Sequence, residues 1–139
     1  MDHVRSTGLP ALDHPSLPQG QLVYAVGDIH GRADLLAALL AKITSDVARR
    51  EGAGRRTLVF LGDYIDRGPD SKEVVDLLLT GLPGGFDAHF LKGNHEAIML
   101  DFLEDPSFLA HWLANGADAT LRSYGVDVAG LVRKSATPE

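Results

Sequence analysis

The sequence has no cysteine. Disulfides and thiolate metal ligands are therefore excluded, and any cation must be held by oxygen and imidazole nitrogen. Basic residues are in deficit: 13 Lys and Arg stand against 19 Asp and Glu, a formal charge of −6. Nucleic-acid phosphates are held mainly by a broad Lys and Arg face, so nucleic acid is not an expected partner and any anion must be bound locally. No apolar run approaches the roughly 20 residues of a membrane span, so no membrane partner is expected. Residues 1–20 contain Pro10, Pro15 and Pro18 but no continuous apolar stretch. They read as a flexible or extended arm without a standard signal peptide, and a cytoplasmic location is the default expectation.

What is present suffices for a core. The chain is 45% hydrophobic and 23% charged, and its 139 residues suit one domain, expected over residues 21–139. Three short runs rich in β-branched and aromatic residues, QLVYAV (21–26), TLVFL (57–61) and FDAHFL (86–91), read as strands. Between the first two lies ADLLAALLAKITSDVARR (33–50), where Leu35, Leu36, Leu39, Leu40, Ile43 and Val47 recur at helical spacing and form the expected buried stripe. A shorter helix over 71–82 is expected to bury Val74, Val75, Leu78 and Leu79. The remainder, to about Gly125, reads as two or three helical pieces, with Asp105-Pro106 breaking the first from the second. Alternation of strand and helix implies an α/β fold, a βαβαβ unit with a parallel sheet and flanking helices.

Each strand runs directly into polar residues: GDIHG after the first, GDYIDRG after the second, GNHE after the third. One such cluster would be an ordinary solvated turn. Three are different, because a parallel sheet places every C-terminal strand end on one edge, where ligands of open α/β sheets bind. Asp28 and His30 are two apart, so in an extended segment both side chains point the same way. Asp63 and Asn94 add oxygen donors from neighbouring strands. Such a sulfur-free set suits manganese, iron or zinc, with magnesium possible and calcium disfavoured by the imidazole. Two cations roughly 3.5–4 Å apart can clamp the attacking and leaving oxygens of a phosphoryl displacement, with Asp63 on the middle strand placed to bridge them. Arg67 offers a forked donor to phosphate oxygens. His95, with its ring oriented by Asp66, can protonate a leaving oxygen. Glycines 27, 31, 62 and 93 allow close backbone approach beside the cations.

In this order and at these intervals the three clusters resemble the signature blocks of the calcineurin-like metallophosphoesterases. The DRG and GNHE forms are similar to the phosphoprotein phosphatase branch, and WLANGADATLRSYG is similar to its bacterial members. The resemblance covers about Gln21 to Gly125. It implies the N-terminal half of an α/β sandwich, with Asp28 and His30 on a first metal, Asp63 bridging, and Asn94 on a second. It also implies His95 with Asp66 as an acid dyad and Arg67 as a phosphate contact. The expected substrate is a phosphorylated protein. The alternatives are a dinucleoside polyphosphate or other small phosphoester, or a non-catalytic metal- or phosphate-binding module.

Members of that family continue further, through strands that carry two more histidine ligands. Here the later histidine, His111, lies on a helix face beside Trp112, and His89 reads as a packed or edge-facing strand residue. The expectation is thus an N-terminal part with an incomplete second metal site, weak or absent turnover, and a tendency to self-associate or to pair with a complementing C-terminal half.

Overall fold

A computed structural model describes residues 16–50 and 54–135. His3 and His14 of the N-terminal arm lie outside the described residues, as do residues 51–53. The described chain runs β1 (Gln21–Val26), α1 (Ala33–Ala48), β2 (Arg55–Phe60), α2 (Ser71–Thr80), β3 (Asp87–Phe90) and α3 (Asn94–Glu104). A single 3-10 turn (Pro106–Phe108) then leads to α4 (Leu109–Ala114), α5 (Ala117–Ser123) and α6 (Val128–Ser135). The strands form one parallel sheet in the order β1-β2-β3, with Val26, Phe60 and Phe90 in register at its C-terminal edge. The βαβαβ expectation holds. β2 begins at Arg55 rather than Thr57, because Arg55 and Arg56 pair with Gln21 and Leu22 and extend the ladder by two residues.

Both crossovers bring their helices to one face. Two consecutive right-handed connections that move the same way across a sheet leave both helices on the same side. There Leu58 and Phe60, fully buried, pack with Val26 under Leu36, Leu40 and Ile43 of α1 and Val74 and Leu78 of α2. The Phe60 and Phe90 rings stack at 5.2 Å and close the core at the site end. On the opposite face Val23, Thr57 and Val59 are half-buried, and Ala25 and His89 are exposed.

The helical stripes are narrower than their periodicity implies. On α1 the buried positions are Ala33, Leu36, Leu40, Ile43 and Val47, whereas Leu35 and Leu39 are 55% and 38% exposed. Those two face sideways and line a shallow cavity of about 150 Å³ at the β1 edge with Val26 and Ile29. On α2, Leu79 is 76% exposed and Val75 half-buried. A helix lying on a sheet buries a strip about one side chain wide at each turn, so the flanks of a broad leucine stripe remain outside.

A second core joins the C-terminal helices. Trp112, Leu109, Ala117 and Leu121 pack around Ile65 of the β2–α2 loop, with Ile98, Met99 and Phe102 of α3 against them. The break at Asp105-Pro106 occurs as expected, and the Asp105 side chain caps the 3-10 turn through the Ser107 amide at 2.9 Å. Among the described residues, no helix is long and apolar enough to cross a membrane.

These packing differences set the cost of truncation. Phe60→Ala should lower unfolding stability by about 3–5 kcal/mol, as expected for an aromatic core residue. Leu79→Ala should stay within about 0.5 kcal/mol of wild type. Urea unfolding followed by circular dichroism separates the two, and equal midpoints would contradict the assignment of the core.

Candidate active site

The first two polar clusters lie in loops beyond the strand ends and the third at the start of α3, and hydrogen bonds to backbone groups join them. The ladder first runs one step past each strand, with Leu61 N donating to Val26 O and Leu91 N to Phe60 O. The first loop then folds onto the second: the amides of Ile29 and His30 both donate to Asp63 O, at 3.0 and 2.9 Å, and that of Gly31 donates to Tyr64 O at 2.8 Å. The second loop is bound to the third by Glu96. Its carboxylate accepts the amides of Asp63 and Tyr64, each at 2.8 Å, and of Gly93 at 2.9 Å. The Tyr64 phenol adds a bond to Leu91 O at 2.6 Å. Burial, followed by the Glu96 carboxylate, holds that phenol above its ordinary pKa, so it stays a donor throughout the neutral range. Gly62 and Gly93 face each other across the second and third loops, and a Cβ on Gly62 would overlap the backbone of Gly93.

This stitching holds the site residues in strained backbone. The only non-glycine residues with positive φ among those described are His30 (45°), Asp63 (54°), Asp66 (71°) and Arg67 (67°). Left-handed backbone costs an L-residue roughly 1–2 kcal/mol and persists only where the surroundings over-determine it. The Asp28–His30 segment is accordingly not extended, which corrects the geometry expected from its two-residue spacing. The two side chains nevertheless approach, His30 Nε2 lying 3.9 Å from Asp28 Oδ2.

Donors converge where the sheet edge predicts. Ligand atoms of His30, Asp63 and His95 lie within 4.8 Å of one another, and the two imidazole rings meet edge to face at 4.7 Å. The tautomers follow from the neighbours. Arg67 approaches the Nε2 atoms of both rings, Nη1 at 3.1 Å from His30 and Nη2 at 3.2 Å from His95. Guanidinium can only donate, so both Nε2 atoms accept and both protons sit on Nδ1. His30 Nδ1 then donates to Ile65 O at 2.9 Å, and His95 Nδ1 to Asp66 Oδ2 at 2.8 Å. His30 thus presents a cation-ready Nε2 lone pair. Asp63 accepts the His95 amide through Oδ1 alone, which leaves Oδ2 for a cation. Neutral imidazole nitrogen beside carboxylate oxygen, without sulfur, is a donor set that fits a divalent metal ion. Asp28 stands exposed at the rim of this group, and Asn94 is the exposed first residue of α3, one position before the buried His95.

Asp66 is completely buried, whereas Arg67 is exposed with its guanidinium over the two imidazoles. A Cβ at Gly27 would meet no protein atom within 4 Å, so packing within the described chain does not require glycine there. His111 is exposed in the last turn of α4 and His89 is exposed on β3; neither reaches the site. Sequence reasoning left Glu96, Ser71, Trp112 and Thr120 without a role. For Glu96 a signal existed, because an acid three residues after Gly93 at a helix start is the spacing that turns back onto amides.

Comparisons with known proteins identify the family. The sequence model of the calcineurin-like phosphoesterases matches residues 22–132. The chain is 38% identical over 96 residues to serine/threonine-protein phosphatase 2 of Escherichia coli (strain K12), covering 69% of this chain and 38% of that protein. Serine/threonine-protein phosphatase 1 of Salmonella typhimurium is 36% identical over 69% of this chain and 39% of its own length. The symmetrical bis(5'-nucleosyl)-tetraphosphatase of Cellvibrio japonicus is 35% identical over 78% of this chain and 44% of that protein. The chain therefore spans about two fifths of the length of these relatives. No solved structure matches it significantly.

The Glu96 clamp can be tested directly. In Glu96→Gln an amide group replaces an oxygen that faces backbone N–H donors. The expected loss is about 1–3 kcal/mol of stability, the cost of an unsatisfied buried donor. Faster hydrogen exchange should appear at the Asp63, Tyr64 and Gly93 amides, and unchanged exchange there would contradict the clamp.

Proposed function

The chain belongs to the calcineurin-like phosphoesterases, and from that premise we propose that its site hydrolyses phosphate monoesters of serine and threonine in proteins. The observation that carries this reading is the convergence of His30, Asp63 and His95 within 4.8 Å under the Arg67 fork. Asp28, His30 and Asp63 would hold one divalent cation, and Asp63 with Asn94 a second. Manganese is the first choice, with iron, zinc or magnesium as alternatives for this nitrogen and oxygen set. When bound, such ions supply Lewis acidity and lower the pKa of water.

The side chains do the rest. Arg67 turns its two forward donors from the imidazoles to phosphate oxygens, a planar match for that group. His95, once a proton sits on Nε2 as well, delivers it to the departing alkoxide. Asp66 accepts the Nδ1 proton throughout, which keeps Nε2 aimed at the cleft and stabilises the doubly protonated ring. Strained, stitched loops favour this chemistry, because the donors need no reorganisation when substrate arrives.

Among the described residues, the second cation would have only Asp63 and Asn94 as side-chain donors. One tight site, one weak site and slow turnover are therefore expected. A second reading, hydrolysis of dinucleoside polyphosphates, is favoured by the Cellvibrio japonicus match, which covers more of this chain than the two phosphatases do.

Calorimetric titration with manganese should show one tightly bound ion per chain; two of equal affinity would contradict the donor count. Asp63→Asn and His95→Ala should each lower turnover of a phosphothreonine peptide by about 100-fold or more, the scale of losing an acid catalyst. Undiminished rates in either variant would overturn the assignment. Faster cleavage of diadenosine tetraphosphate than of the peptide would instead select the second reading.

A further inference from the structure

Asp66 is a fully buried carboxylate without a cationic partner among the residues that bond to it. Burying such a group is costly unless its oxygens are satisfied by hydrogen bonds. Oδ2 accepts from His95 Nδ1 at 2.8 Å and from Trp112 Nε1 at 2.9 Å, and Oδ1 accepts from Thr120 Oγ at 2.6 Å. The Thr120 oxygen also accepts the Asp66 amide at 2.8 Å and lies 3.0 Å from the Ser71 hydroxyl. Thr120 has one proton, and it goes to Asp66; the Ser71 proton must therefore point to Thr120. Three side-chain donors, from His95, Trp112 and Thr120, thus meet on one carboxylate.

The same helices hold the neighbouring residue. Arg67 N donates to Gly116 O at 3.1 Å, at the junction of α4 and α5. Gly116 has φ +96°, and a Cβ there would press on the Arg67 backbone at 3.0 Å. Trp112 on α4, Gly116 at the junction and Thr120 on α5 thus present an indole N–H, a carbonyl and a hydroxyl to the adjacent residues Asp66 and Arg67.

We propose that Trp112 and Thr120 are positioning residues that act through Asp66: by saturating its carboxylate they fix the direction in which His95 Nε2 faces the cleft. This rests on the reading of His95 as the proton donor. The indole shares Oδ2 with His95 and Thr120 holds Oδ1, so the carboxylate can neither rotate nor withdraw without breaking a bond to α4 or α5. The helical segment is thereby part of the site although it contributes no group to the cleft.

The test uses Trp112→Phe, which keeps a ring against Phe102, Thr120→Val, which keeps the shape, and Thr120→Ser, which keeps the hydroxyl. Nitrogen–proton NMR of the folded chain reads the imidazole tautomers and the exchange of their Nδ1 protons with water. His30, whose Nδ1 donates to Ile65 O and not to Asp66, is the internal control. In Trp112→Phe and Thr120→Val the His95 proton should exchange about tenfold faster or more, the scale of one lost hydrogen bond to a charged group. The His30 proton should be unchanged, and Thr120→Ser should restore the wild-type His95 rate.

An unchanged His95 proton in both variants overturns the proposal. So does equal acceleration of His30 and His95, which would mean general loosening. In turnover, both variants should lose kcat on phenyl phosphate about tenfold more than on p-nitrophenyl phosphate, whose leaving group needs little protonation, with KM unchanged. If the wild-type chain cleaves neither ester, the hydrolase reading fails, and the imidazole protons alone decide the positioning.

Discussion

A single buried carboxylate organises this molecule. Asp66 lies where the sheet-and-helix layer meets the cluster of C-terminal helices, and its hydrogen bonds draw both into one site. An unsatisfied carboxylate in that position would be costly to fold, so the arrangement of α3, α4 and α5 is tied to the conformation of one loop residue. Ile65, immediately before it, is buried among Leu109, Trp112 and Leu121. The apolar side chain and the charged one that follows thus anchor the same loop to the same helices by different forces.

The second organising constraint is strain. His30, Asp63, Asp66 and Arg67 all occupy backbone that suits glycine better, yet each carries a side chain the site uses. Such conformations hold only where hydrogen bonds leave no alternative. Asp63 O accepts two amides from the first loop, Glu96 accepts three from the second and third, and Gly116 O accepts the Arg67 amide. The result is a rigid rim built from loops, which ordinarily are the mobile parts of a fold.

The fold was largely legible before any coordinates. Strand and helix order, the parallel sheet and the break at Asp105-Pro106 follow from apolar periodicity and from proline geometry, both local properties. Helix faces were less legible. Leu35, Leu39 and Leu79 match the helical repeat as well as Leu36, Leu40 and Leu78 do, and only the orientation of each helix on the sheet separates buried from exposed. Strand ends shifted for a similar reason, because Arg55 and Arg56 join a strand only when Gln21 and Leu22 lie beside them.

For the site, the sequence by itself determined the residue types, their order and the edge where they gather, because parallel strands carry their C-terminal ends to one side whatever the side chains are. It could not determine partners. That Asp66 bonds to Trp112 and Thr120, 46 and 54 residues away, is decided by the packing of α4 and α5 against a loop. That Glu96 closes on Asp63 and Tyr64 depends on how α3 leaves the third strand. Hydrogen bonds between distant residues leave no periodic trace along a chain. Their geometry exists only after the elements have packed, which is why the residues of the three clusters could be read in advance and their hydrogen-bond partners could not.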